Sequence, residues 1–271
     1  MKTYVINLDK YINHFNKQKP VLESVGLDVE RFPGINAIEN EHLKYKKHIY
    51  KSAILFTPKS TIGCSLSHIL LAQHILKYPP IQEGDKSCVL IMEDDAYPLE
   101  KEPAIFQEKL KTAIDNIHIL DSKWDIIQLH SDFVFPSNKT YSAHPLCGST
   151  AAYLISYRGL IKLANLKTIS HIDMHTSFSL NFKKYRIKEN LFWTDEKHSI
   201  NRIDRKNFFI KFKHNILTRF IPLRGEKTWE NFLSFKLLRV PVIGKEFTPD
   251  QLMNYLIGYF IVKKLLYKKL K

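Results

Sequence analysis

The sequence predicts an α/β domain on a mixed, mostly parallel sheet, followed by a basic helical tail. Three observations lead there. The run Cys88-Val89-Leu90-Ile91-Met92 is continuously apolar and stops at three carboxylates, Glu93-Asp94-Asp95, the pattern of a strand buried on both faces. Apolar strand-like segments alternate with helical ones along residues 1–201, as a sheet with crossover helices requires. The charge is divided unevenly: residues 202–271 hold 16 Lys and Arg against 5 Asp and Glu, which leaves +3 of the formal +14 to the first 201 residues.

Taken in order, Thr3-Tyr4-Val5-Ile6-Asn7-Leu8 is β-branched and aromatic and reads as the first strand, ended by Asp9. Residues 10–25 read as a helix and 27–32 as a second strand, closed by the turn at Pro33-Gly34. The polar, Lys-rich stretch 36–59 is an irregular excursion. Gly63 is expected to open a helix over 65–77, where Leu66, Ile69, Leu70, Ala72 and Leu76 approximate one face and Pro79-Pro80 ends it. Past the acidic strand end come a helix over about 103–118, a buried strand at 124–129, a strand at 151–156 and a short helix at 158–166. There is no internal repeat and no low-complexity segment.

A chain of 271 residues, 44% hydrophobic and 25% charged, suffices for one large globular domain with an appendage. Cys64, Cys88 and Cys147 are odd in number, far apart and without a CxxC pair, so they read as reduced core residues of a cytosolic protein. The short apolar stretch before Asn7 and Asp9 is no signal peptide. In the tail, the longest apolar stretch, 255–262, is far below the roughly 20 residues that span a bilayer. Basic, aromatic-containing helices of this kind lie on anionic lipid. The other reading has these apolar residues packed on the folded body and the lysines merely solvated.

The carboxyl ends of parallel strands are where open α/β sheets bind ligands. Three acids crowded there repel one another unless a cation joins them. In an extended chain Glu93 and Asp95 share a face and Asp94 takes the other. Two oxygen donors on one face suit Mg²⁺ or Mn²⁺, whose remaining positions go to phosphate oxygens and water. A solvated acidic turn is the alternative.

Several segments, in this order, carry a resemblance: Val5-Ile6-Asn7-Leu8-Asp9, Gly26-Leu27 through Glu30-Arg31-Phe32-Pro33-Gly34, Gly63-Cys64-Ser65-Leu66-Ser67-His68, Leu90-Ile91-Met92-Glu93-Asp94-Asp95-Ala96, and Ser149-Thr150-Ala151-Ala152-Tyr153-Leu154-Ile155-Ser156 with Gly159. A weaker match continues through Ile172-Asp173 to His198-Ser199-Ile200. Together they resemble glycosyltransferase family 25, which includes lipooligosaccharide galactosyltransferases and collagen galactosyltransferases. The resemblance covers about residues 1–201. His14 stands where relatives usually have a basic residue, often Arg, and Thr61 where many have an acid.

The resemblance implies a GT-A-like, single Rossmann-type catalytic domain in 1–201, with 202–271 as a basic amphipathic extension. It implies a hexosyltransferase that takes galactose from UDP-galactose, with inversion and a β-linkage, to a lipooligosaccharide core. Such a protein is cytoplasmic and peripheral on the inner face of the inner membrane. Its partners are a nucleotide sugar, a lipooligosaccharide or other glycan, and an anionic membrane surface; no nucleic acid is expected. A divalent metal, Mn²⁺ or Mg²⁺, is implied because negative charge develops on the departing diphosphate.

Glu93 and Asp95 are the expected metal ligands, Asp94 the substitute if the chain turns sharply, and His198 a late addition to the shell. Asp173 is the expected base for the acceptor hydroxyl, or else a helix cap within Ser170-His171-Ile172-Asp173. Asn7 and Asp9 are expected on the uracil and ribose, unless they serve only as strand-end turn residues. Ser67 and His68 are expected near the diphosphate or sugar at a helix start, or as a packed polar pair. Ser149, Thr150 and Tyr153 are expected to line the sugar pocket, although Tyr153 inside a strand also suits the core.

Other classes fit less well. A capsule or protein acceptor changes only the specificity. A nucleic-acid binder requires basic and aromatic residues interleaved over the folded body, which is nearly neutral here. A phosphoryl-transfer enzyme requires a two-metal acid set or a GxxxxGK loop, and the chain has no such loop.

Overall fold

The β-branched and aromatic residues near the start build β1 (Lys2–Asn7), which the computed structural model places second from one edge of a wide sheet. Described are residues 1–50, 53–54, 57–82, 87–131, 149–168, 171–173, 176, 182–187 and 189–195, with the backbone of 141–142, 238–240 and 245–247. The chain divides into two compact units, Met1–Asn207 and Phe208–Lys271.

In the first unit β1 is followed by α1 (Ile12–Ser24), β2 (Asp28–Pro33), two 3-10 segments (Ala37–Glu39 and Glu41–His48) and α2 (Lys59–Lys77). Then come β3 (Cys88–Glu93), β4 (Ala96–Pro98), α3 (Pro103–Leu120), β5 (Ile126–Gln128), β6 (Tyr141–Ser142), β7 (Ala152–Ser156), α4 (Tyr157–Ala164), β8 (Lys184–Ile187) and β9 (Phe192–Thr194). Among the described residues the main sheet has seven strands in the order β2-β1-β3-β7-β5-β8-β6. β2, β1 and β3 are parallel, β7 runs against both β3 and β5, β8 is parallel to β5, and β6 is antiparallel to β8. Five strands therefore share one direction, and the sheet is mixed and mostly parallel as expected. β4 and β9 form a separate antiparallel ribbon.

Strand alternation divides the core between two faces. Val5, Leu90, Met92, Ile127 and Leu154 pack with Phe15 and Leu22 of α1 and Phe106, Leu110 and Ile117 of α3. Tyr4, Ile6, Val89, Ile91, Ile126 and Ile155 pack with Ile69, Ala72 and Ile75 of α2 and Leu160 and Leu163 of α4. Val89, Leu90, Ile91 and Met92 are fully buried. Each stabilises by about 1.5–3 kcal/mol. This explains why their run is continuously apolar.

Two glycines record close packing. α2 begins at Lys59, behind Pro58, so Gly63 lies inside the helix and does not open it. A Cβ at Gly63 would stand 2.5 Å from the Ile35 carbonyl oxygen, so the glycine admits the 35–37 backbone against the helix. At Gly159 a Cβ would run into the Asp125 carbonyl and Ile155. Asp125 is fully buried and accepts from Arg158 Nε at 2.8 Å, Lys162 Nζ at 2.6 Å and the Lys183 backbone N–H at 2.7 Å, which ties α4 to the start of β5.

In the second unit the described backbone is an antiparallel ribbon of β10 (Leu238–Val240) and β11 (Lys245–Phe247). That part of the tail is extended, where a helical tail was expected. The basic stretch 255–271, on which the helical expectation rested, lies outside the described residues. Among the described residues no helix is long and apolar enough to cross a membrane.

Candidate active site

β1 leads by way of α1 to β2 on one side, and the chain then returns from β2 by way of α2 to β3 on the other side of β1. Such a reversal of strand order opens a crevice at the carboxyl ends. Here Ile6 and Leu8 at the end of β1 and Glu93, Asp94 and Asp95 at the end of β3 form its floor. One wall is Ile35 to Ile38, held against α2 at Gly63, and the other is the α2 face with Ser60, Cys64, Ser67 and His68. Tyr11 and His14 complete the rim. The open cleft encloses about 800 Å³, solvent at its mouth included.

The acidic end is pinned from several directions. β3 ends at Glu93 and the chain turns through Asp94 and Asp95 into β4. The turn replaces the strand alternation that would have put Asp94 on the opposite face, and all three carboxylates line the cleft. Gln18 of α1, fully buried, donates from Nε2 to the Glu93 carbonyl at 2.9 Å and to the Ala96 carbonyl at 2.5 Å. The Asp195 backbone N–H donates to the Asp95 carbonyl at 2.8 Å.

Each carboxylate has its own surroundings. Glu93 Oε1 accepts from the Thr150 hydroxyl, with His68 Nε2 at 3.4 Å and Cys64 Sγ at 3.9 Å. Burial opposes ionisation of Glu93, but these donors outweigh it and hold the carboxyl below its ordinary value. Asp94 accepts from Asn7 Nδ2 at 2.6 Å; burial and the Glu93 charge still raise it. Asp95 is raised to about 8 by burial and by the charges of Glu93 and Asp94, and its Oδ1 is buried with no hydrogen-bond partner. A buried, unpartnered carboxylate oxygen beside two more acids is the surrounding a hard divalent cation fits.

The expected site residues fall into groups. His68 is buried, and its Nδ1 lies 2.8 Å from the Tyr153 hydroxyl, so His68, Tyr153, Thr150 and Glu93 form one network. Ser67 lines the cleft, and its hydroxyl donates to the Gly63 carbonyl and accepts from the Ile35 N–H. The Ser149 carbonyl accepts from Gln128, and its hydroxyl accepts from the Ala151 N–H. Asn7 is 1% exposed, with Nδ2 on Tyr11 and Asp94 and Oδ1 accepting from Arg31. The Asp9 side chain is 82% exposed and paired with Arg31. Neither Asn7 nor Asp9 is among the residues lining the cleft. Asp173 also stands outside that lining, yet its charge helps raise the Cys64 thiol, after burial and Glu93. His198 and Cys147 lie outside the described residues, and Cys88 is buried and free.

Sequence reasoning assigned no role to Gln18 or Arg31 and read Cys64 as a core residue, whereas it is only partly buried and lines the cleft. Arg31 and Cys64 stood inside quoted motifs, so a signal existed for them. Gln18 gave none, because a polar residue on an amphipathic helix reads as solvated until the turn it supports is known.

An α/β domain with seven main-sheet strands among the described residues and an acidic cleft at its strand ends is built like the ligand-binding α/β domains. The chain belongs to glycosyltransferase family 25 (LPS biosynthesis protein), whose family model matches residues 1–176. It is therefore a glycosyltransferase of lipopolysaccharide biosynthesis, a transferase with a nucleotide-sugar donor and a glycan acceptor. No curated protein matches the chain.

Proposed function

We propose that residues 1–201 transfer galactose from UDP-galactose, with inversion and a β-linkage, to a lipooligosaccharide core, and that the basic extension 202–271 rests on the anionic inner face of the inner membrane. The observation that supports this most is Asp95, whose Oδ1 is buried and unpartnered beside Glu93 and Asp94 at the floor of the cleft.

Asp95 with Glu93 or Asp94 would hold a cation of the Mn²⁺ or Mg²⁺ class, which would supply positive charge beside the departing diphosphate. His198 is the proposed further ligand. Asn7 and Arg31 keep Asp94 directed at the cleft, and Gln18 fixes the turn that presents Asp95. Asp9 meets the nucleoside at the outer edge, with Asn7 behind it. Ser67 and His68 stand by the diphosphate, and Ser149, Thr150 and Tyr153 shape the sugar end. Asp173 takes the proton of the acceptor hydroxyl as its oxygen bonds to the anomeric carbon and the bond to the phosphate oxygen breaks. Its electrostatic effect on Cys64 supports a position near the cleft.

Incubation with UDP-hexoses, Mn²⁺ and a lipooligosaccharide acceptor should release UDP, fastest with UDP-galactose. Absence of both donor hydrolysis and transfer with every UDP-sugar overturns the reading.

A further inference from the structure

The inner wall of the cleft collects a sulfur, a nitrogen and an oxygen donor. Cys64 and His68 lie four residues apart on α2, hence on one face, and Glu93 ends β3. One donor atom of each lies within 4.8 Å of the others. Cys64 Sγ stands 3.9 Å and His68 Nε2 3.4 Å from Glu93 Oε1, and the nitrogen contact is long for a hydrogen bond to a carboxylate.

Both separations suit ligands of a single ion. With bonds of about 2.3 Å to sulfur and about 2.1 Å to nitrogen and oxygen, tetrahedral geometry puts S and O about 3.6 Å apart and N and O about 3.4 Å apart. The supporting contacts are in place too. His68 Nδ1 is engaged with the buried Tyr153 hydroxyl, which turns Nε2 toward Glu93, and the Thr150 hydroxyl orients the carboxylate.

We propose that Cys64, His68 and Glu93 form a site for one thiophilic divalent cation of the zinc or cadmium class, chemically distinct from the sulfur-free position at Asp95. A thiolate selects softer ions than a site built on carboxylates does. On binding, the Cys64 sulfur donates a lone pair to the ion and its proton passes to solvent; nothing is oxidised or reduced. An ion there draws on Glu93 and stands in the cleft wall, so it inhibits turnover. That consequence rests on the proposed transferase reading, whereas the binding does not.

The test is titration of the full-length, metal-stripped protein with Cd²⁺, followed by thiolate-to-metal charge-transfer absorption. One equivalent should bind, the band should survive a large excess of Mg²⁺, and Cys64→Ser should lose it while keeping the wild-type thermal unfolding. Absence of a band in the wild type overturns the proposal, as does a band of full strength in Cys64→Ser. If the variant does not fold, X-ray absorption of the wild-type Zn²⁺ complex decides: one sulfur with nitrogen and oxygen ligands supports the site, and all-oxygen ligation refutes it. Both readouts are independent of UDP release.

Discussion

Asp95 shows most directly how burial turns a common residue into a titrating one. Its carboxyl is raised from 3.8 to about 8 by burial and by Glu93 and Asp94. An acid whose folded value is raised holds a proton that the unfolded chain has released, so its contribution is full below 3.8 and is lost as pH climbs through about 8. The metal-free protein should therefore lose stability across that window, and Asp95→Asn should flatten the slope, as read from thermal unfolding at a series of pH values. A cation competes with the same proton. Mn²⁺ should raise the unfolding temperature more at pH near 8 than in mild acid. Asp95→Ala should leave less than about a tenth of metal-dependent turnover, since losing such a contact costs several kcal/mol at the transition state. At this scale the three carboxylates were legible in the sequence. Their unequal surroundings were not, because the donors on Glu93 come from residues 64, 68 and 150 and the donor on Asp94 from residue 7.

Elements were largely readable where hydrophobic period and length agreed, as in β3 and α3, and less so where packing overrode propensity. Gly63 looks like a helix start because glycine is unfavourable inside helices by about 1 kcal/mol. Its place within α2 comes from the Ile35 carbonyl against it, a contact across 28 positions that no local pattern encodes. Gly63→Ala should destabilise the protein by about 1–3 kcal/mol through forced displacement of that wall. Because Ile35 to Ile38 border the cleft, KM for the donor should rise in the same variant. Unchanged melting and unchanged KM would show that the wall gives way freely. The antiparallel course of β7 was equally hidden: its apolar residues predict burial on both faces and carry no directional signal.

For the molecule as a whole, charge is the dominant sequence-level fact, with +11 of the formal +14 in residues 202–271. Basic residues near an anionic bilayer contribute about 1 kcal/mol each and are screened by salt. Truncation after about residue 205 should therefore reduce sedimentation with anionic vesicles far more than turnover of a soluble acceptor, and added salt should imitate the truncation for the full chain. Equal sedimentation of the two forms would count against a membrane-facing tail.

The α/β class, the buried strand ending in three acids, and the order of motifs that marks the family were all legible before folding, because periodicity and motif order are properties of the linear chain. Which acid keeps a buried oxygen without a hydrogen-bond partner, that Asn7 and Arg31 support Asp94, and that Cys64 and His68 meet Glu93 follow from the folded chain alone. Those outcomes depend on contacts between residues tens of positions apart, brought together where the strand order reverses, and both burial and charge at each carboxylate follow from that meeting.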